Sequence, residues 1–328
     1  MIGTLHDETS DAQAHKLALE IGGQFIKFLG RRVIVSGSSS HLAGHFEEEF
    51  SDVLELPSDA QLSSSDFMDK RQIKVGEIHV GLETVPLILG PCSIESEGQI
   101  RQVAEFVKHQ DLNFIRGSAF KPRTTPYGFQ GLGVEGMQLI RKVADDYGLK
   151  VVSETRDTRD VDSIIEYADV IQIGTKAMYD YALLDRAAKS MKPILLKRGF
   201  GTTIQEFLQI AEFVLLAGNS NLILCERGIR TFESKSRFTL DLAGAIYVLH
   251  HANLPLFVDP SHAMGHRWGV SQLGLGALAA GADGLLVEMH PDPESARTDA
   301  AQQIDFSMAS ELVRKSRLIA EIDGRKIV

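Results

Sequence analysis

Four residues far apart in the chain, Cys92, His262, Glu288 and Asp299, have side chains suited to a divalent metal. A thiolate, an imidazole and two carboxylates together fit a borderline ion such as Mn, Fe(II), Co or Zn. Their spacing is no local metal motif, so the reading requires a fold that gathers them. Each alone has a plainer explanation: Cys92 as a small buried hydrophobe, His262 as a loop cap. A second set is cationic: Arg116, Lys121, Arg123, Lys176, Lys197, Arg198 and Arg227. Arg116, Lys197 and Arg198 directly follow apolar residues, where a charge is costly unless it meets an anion. Arginine grips carboxylate and phosphate at two points. So many cations point to more than one anionic group, for example two phosphates and a carboxylate. The plainer reading is internal pairing with Glu154, Glu226 and Asp259. Both are expected, with part of the set structural.

The elements that must position these residues emerge from residue 86 onward. Short apolar runs alternate there with helical periods. The runs are 86–89, 113–116, 150–153, 170–173, 193–196, 222–225, 255–258 and 284–287, eight in all. Their near-uniform apolarity is that of strands covered on both faces. In 136–147, Met137, Ile140, Val143, Ala144 and Tyr147 share one helical face, and Gly148 offers a C-terminal cap. In 203–217, Thr203 and Glu206 form a capping-box pattern and Gly218 ends the helix. Eight strand-then-helix units predict a (β/α)8 TIM barrel of the α/β class. Its functional rim lies at the C-terminal strand ends, where all the candidates fall. Closure makes strands one, seven and eight neighbours, which would unite Cys92, His262, Glu288 and Asp299. The alternative is an open doubly wound sheet, but no Gly-rich dinucleotide fingerprint follows any run.

Upstream, residues 1–57 predict a smaller α+β unit. An apolar start at 2–5 precedes a helix over 11–21, strand-like runs at 24–29 and 32–36, a second helix over about 41–50, and a last strand at 53–56. This βαββαβ order is that of a ferredoxin-like module. The Ser- and Asp-rich stretch 58–65 reads as a linker, and 72–82 as a hairpin around Gly76-Glu77. The expected division is therefore 1–65, module plus linker, and 66–328, hairpin plus barrel.

Composition narrows the function. A chain of 328 residues suits one barrel plus a small module. A formal net charge of −10 argues against a nucleic-acid surface, so anion sites must be built locally. Two distant cysteines make no disulfide framework, the start lacks the features of a signal peptide, and no apolar run is long enough to span a membrane. A cytoplasmic enzyme is the expectation.

The motifs GPCS (90–93), RGSAFKPRTTPYGFQGLG (116–133), LLKRG (195–199), ILCERGIRTFE (223–233), DPSH (259–262) and VEMHPDP (287–293) resemble, in order, those of the type I 3-deoxy-arabino-heptulosonate 7-phosphate (DAHP) synthases. The resemblance is strongest to the subgroup with a small N-terminal regulatory domain. It implies a metal-dependent condensation of phosphoenolpyruvate with erythrose 4-phosphate. It also implies metal ligation by Cys92, His262, Glu288 and Asp299. Arg116, Lys121 and Lys197 match positions near the carboxylate of phosphoenolpyruvate, Arg227 its phosphate, and Arg123 and Thr124 the aldose phosphate. Lys121 is a candidate proton donor to the new alkoxide, and Glu154 a candidate for orienting the attacking water. A homotetramer and an aromatic amino acid effector at the N-terminal module are further implications; an assembly element is the other reading of that module. One departure stands out. Where the family usually has a GARN-type motif, this chain reads Gly174-Thr175-Lys176-Ala177. Lys176 keeps a charge but loses the two-point fork, which leaves open a different aldose phosphate, as in the related 3-deoxy-octulosonate 8-phosphate synthases or a secondary-metabolism variant.

Overall fold

Eight short strands close on themselves because each is apolar on both faces and has nowhere else to bury them. They are Leu87–Gly90, Phe114–Arg116, Lys150–Thr155, Val170–Ile173, Ile194–Lys197, Leu222–Glu226, Leu256–Val258 and Gly284–Glu288. All pair in parallel and in chain order, and the eighth returns to the first, with Leu285 opposite Leu87 and Glu288 opposite Gly90. The structure, a computed structural model, describes residues 1–38, 44–121 and 127–328. Arg123 and Thr124 lie outside the described residues.

Side-chain alternation divides the strands between two cores. One set points into the barrel: Ile88, Phe114, Val152, Val170, Leu195, Ile223, Phe257 and Leu286 form one cluster. The other, including Leu89, Ile115, Ile171 and Val258, packs under the helices. The expected hairpin, Ile73–Val75 with Ile78–Val80, joins the interior cluster through Ile73, Val75 and Val80. Gly76 of its turn lies against Lys150, the first residue of the third barrel strand. The hairpin therefore plugs the N-terminal end of the barrel and leaves the C-terminal end open. The helices form as their patterns predict. Val134–Tyr147 ends at Gly148 in the left-handed conformation, and Ile204–Leu216 begins with the Thr203/Glu206 capping box.

The N-terminal unit is a four-stranded antiparallel sheet in the order Gln24–Phe28, Arg31–Val35, Ile2–Leu5, Phe50–Leu54. This is the ferredoxin-like arrangement. The helix Asp11–Glu20 covers one face through Ala14, Leu17 and Ala18. The expected second helix is not α-helical where described; Gly44–Glu49 is a 3₁₀ segment. Its sequence, GHFEEE, opens on Gly, a poor helix former.

The stretch 58–65 corrects the linker expectation. Leu62 and Ser63 are fully buried. The Glu212 carboxylate accepts the Leu62 and Ser63 backbone N–H groups, both at 2.9 Å, and the Ser63 hydroxyl at 2.6 Å. Asn253 Nδ2 donates to the Leu62 and Ser64 carbonyls, both at 2.8 Å. The sheet's other face, through Ile2, Phe28, Val33 and Val35, joins the cluster that also holds Leu62 and the helix-covered barrel residues. This segment is a seam rather than a tether. Glu212→Ala is expected to leave two buried N–H groups without acceptors and to cost about 3 kcal/mol, read as a lower urea midpoint. A midpoint equal to that of the wild type would contradict the seam. Among the described residues no helix is long and apolar enough to cross a membrane.

Candidate active site

The C-terminal rim of the barrel holds a cavity of about 420 Å³ lined by Lys121, Glu154, Lys176, Lys197, Arg227, His262 and Asp299 among others. Each was expected there from its position after a strand. Cys92, Arg116 and Glu288 are buried alongside.

The first barrel strand delivers Cys92 through Gly90, whose backbone passes so close to the Arg116 carbonyl that a Cβ would overlap it. The eighth ends in Glu288, paired with Arg116 at 3.1 Å and accepting from Gln302 Nε2 at 2.6 Å. Asp299 sits in the left-handed region at φ 46, an uncommon conformation that its short polar side chain tolerates. Ligand atoms of Cys92, Glu288 and Asp299 all lie within 4.8 Å of one another. His262 does not join at that spacing, but its Nε2 stands 3.6 Å from Glu288 Oε1 and 4.0 Å from Asp299 Oδ2. Asp259 orients this imidazole, meeting Nδ1 at 2.7 Å and accepting the His262 backbone N–H at 2.9 Å. That carboxylate–imidazole pairing leaves Nε2 for a metal. Sulfur, imidazole nitrogen and carboxylate oxygen together fit a borderline divalent ion.

Burial works against ionisation of Asp259, but His262 and Lys197 outweigh it and hold the carboxyl well below its usual range. Burial likewise opposes the Glu288 charge, and His262, Arg116 and Lys121 override it. Burial, aided by Glu288, pushes the Cys92 thiol up to about 12. A metal held by Cys92 would therefore have to displace a proton from sulfur. Burial also disfavours the Lys121 ammonium, yet Cys92, Glu154 and Glu288 more than compensate and raise its pKa.

The described cations divide into those with an ion pair and those without one. Lys197 contacts Asp259 directly, and Arg198 pairs with Glu226 at 2.9 Å and Asp241 at 2.8 Å. Arg198 is thus structural. Lys121 donates to the Cys92 carbonyl at 3.0 Å. Lys176 is exposed at the cavity mouth. Arg227 is only 4% exposed, yet it forms no ion pair among the described residues, and its Nε has no partner. Burial lowers its pKa. A buried cation without a counter-charge is a strong sign of an anion site.

The DAHP synthetase I family model matches residues 63–321. This chain belongs to that family. A phospho-2-dehydro-3-deoxyheptonate aldolase of Thermotoga maritima is 44% identical over 255 residues, covering 78% of this chain and 75% of that protein. A 2-dehydro-3-deoxyphosphooctonate aldolase of Desulfotalea psychrophila is 30% identical over 250 residues, covering 70% of this chain and 88% of that one. The solved structure of the phospho-2-dehydro-3-deoxyheptonate aldolase (DAHP synthase) of Thermotoga maritima matches with a TM-score of 0.82 at 37% identity, over 100% of this chain and 99% of that chain. The fold match therefore takes in the N-terminal sheet as well as the barrel.

Within this DAHP synthetase I barrel, some residues escaped the sequence reading. Gln302 and Gln303 are uncharged, yet Gln302 holds Glu288 and Gln303 Oε1 accepts the Cys92 backbone N–H at 3.0 Å. Their place just after Asp299 was the available signal. Arg237, whose Nη1 lies 3.5 Å from Asp299, and Phe238 sit in the long excursion between the sixth and seventh strands.

Glu154 owes its position to two neighbours. Gln172 Nε2 donates to it at 2.9 Å, and Gly174 leaves room for its carboxylate. A Cβ at Gly174 would overlap Glu154 Oε1, although the backbone there, φ −70 and ψ 155, suits any residue. Gly174→Ala should therefore fold normally and lower kcat by about a hundredfold through displaced Glu154. Steady-state kinetics beside circular dichroism checks this, and wild-type kcat would show that Glu154 tolerates the shift.

Proposed function

We propose that this protein is a DAHP synthase that joins carbon 3 of phosphoenolpyruvate to the aldehyde of erythrose 4-phosphate, the first step of the shikimate pathway. Water adds at carbon 2 of phosphoenolpyruvate, and phosphate leaves. The observation that carries this reading is the buried Arg227, without an ion pair among the described residues, which shares a cavity with Lys121 and Lys197 beside the Cys92–Glu288–Asp299 cluster. Arg227 would take the phosphate of phosphoenolpyruvate. Arg116, Lys121 and Lys197 would lie at its carboxylate, with Lys176 adding charge near the phosphate. Arg123 and Thr124 would hold the aldose phosphate. Gathering the two anions in one cationic cavity offsets their repulsion and the entropy of meeting. Cys92, His262, Glu288 and Asp299 would hold one Mn, Fe, Co or Zn ion. Such an ion, when bound, supplies Lewis-acid polarisation of the aldehyde oxygen. Lys121, within the charge field that keeps it protonated, would donate a proton to the new alkoxide, and Glu154 would orient the water. Near-normal turnover by Lys121→Ala in saturating substrates would remove the donor role.

The second reading, a related synthase with another aldose phosphate, rests on the Gly174–Ala177 departure. The relative named for the octulosonate reaction is more distant, at 30% identity against 44%. Metal-loaded protein incubated with phosphoenolpyruvate and, separately, erythrose 4-phosphate, arabinose 5-phosphate or ribose 5-phosphate should yield the seven-carbon product by mass. No phosphate release with any aldose would defeat the synthase reading. Residues 1–65 would act as a regulatory or assembly module of a cytoplasmic homotetramer. Inhibition by added tyrosine or phenylalanine would favour an effector role, and intact oligomers without inhibition an assembly role.

A further inference from the structure

We propose that Phe238 is a positioning residue for Arg227, its ring standing where a buried arginine would otherwise need a carboxylate. The Arg227 guanidinium lies 4.2 Å from the centroid of the Phe238 ring. Its polar contact among the described residues is weak, Nη1 to the Gly228 carbonyl at 3.4 Å. The nearby carboxylates are committed elsewhere: Glu226 to Arg198 at 2.9 Å and to the Gly228 N–H at 2.6 Å, Asp259 to Lys197 and His262. The ring is itself held in place. Phe238 N–H donates to the Ala263 carbonyl at 2.9 Å, and the ring packs on Phe200 at 5.6 Å with planes 27° apart. Gly228 permits the approach, since a Cβ there would fall 2.8 Å from Phe238 Cβ.

The chemistry explains why an aromatic serves here. A ring face attracts a guanidinium and fixes its plane without neutralising it. A carboxylate would fix it equally well and cancel the charge offered to the cavity. A leucine would fill the space and do neither. Phe238 thus sets how strongly this enzyme holds the phosphate of phosphoenolpyruvate. This inference rests on the reading of Arg227 as the phosphate-holding group.

The test is calorimetric binding of phosphoenolpyruvate to the full metal-loaded chain without aldose, beside steady-state kinetics. Phe238→Leu should weaken phosphoenolpyruvate binding and raise its KM about tenfold, with a much smaller change in kcat and in the aldose KM. Phe238→Tyr should recover most of the affinity. If the leucine variant fails to fold, Phe238→Met carries the same expectation. Wild-type affinity in the leucine or methionine variant, or equal losses in leucine and tyrosine variants, would overturn the inference. Arg227→Ala separates the two levels. Wild-type affinity in that variant defeats the reading of Arg227 and this inference with it. A loss there with none in Phe238→Leu defeats this inference alone.

Discussion

Cys92→Ala should yield a folded protein that retains no divalent metal after gel filtration and turns over more than about a hundredfold slower, since even outer-shell partners of a metal cost about 10–100-fold. The fold should scarcely notice. Cys92 is fully buried and, without metal, its thiol is neutral, because burial pushes it up to about 12. Alanine then removes one small apolar group, at about 1 kcal/mol. Glu288→Ala would lose metal too, but it would strand Arg116, which is 2% exposed and pairs with Glu288 at 3.1 Å. An unpaired buried charge costs about 3–5 kcal/mol, so activity and stability would fall together. Cys92 is the cleaner probe for that reason. Elemental analysis and product assay check it, and a variant with full metal content and turnover would remove Cys92 from the ligand set. Because the metal competes with a proton for sulfur, wild-type metal affinity should also weaken as pH falls.

The barrel was legible because its strands are covered on both faces, so their apolar runs stand out from the amphipathic helices between them. The observed strands differ from the predicted runs by at most two residues at either end. Where solvent-like composition meets a buried environment, the reading failed. Ser and Asp in 58–65 suggested a tether, but Glu212 and Asn253, distant in sequence, satisfy that backbone. No local pattern encodes a partner 150 residues away. The site followed the same rule. Charged residues at strand ends were visible, since a charge after an apolar run demands a reason. Gln302, Gln303 and Phe238 carry no charge, and only the closed fold reveals what they hold.

Arg227→Met should make the protein more stable and less able to hold phosphoenolpyruvate, a pairing of effects that a structural arginine cannot give. Arg227 is buried with no ion pair among the described residues and an unpartnered Nε. Its desolvation outweighs the attraction of the Asp259 and Glu226 carboxylates, so that burial lowers its pKa, and the Phe238 ring adds only about 1 kcal/mol. Methionine fills similar volume without that cost, so unfolding free energy should rise by about 1–3 kcal/mol, visible as a higher urea midpoint. The same substitution removes the charge proposed to face the phosphate, and kcat/KM for phosphoenolpyruvate should fall by about a hundredfold or more. Arg198 supplies the contrast from the neighbouring strand. It is equally buried but paired with Glu226 at 2.9 Å and Asp241 at 2.8 Å. Arg198→Met should therefore destabilise by about 3–5 kcal/mol, because two carboxylates lose their counter-charge. Opposite signs for two neighbouring arginines would follow from a single difference: one has its anion within the protein, and the other would take it from the substrate. If Arg227→Met destabilised as Arg198→Met does, the charge of Arg227 would be spent on the fold and the phosphate site would have to be sought elsewhere on the rim.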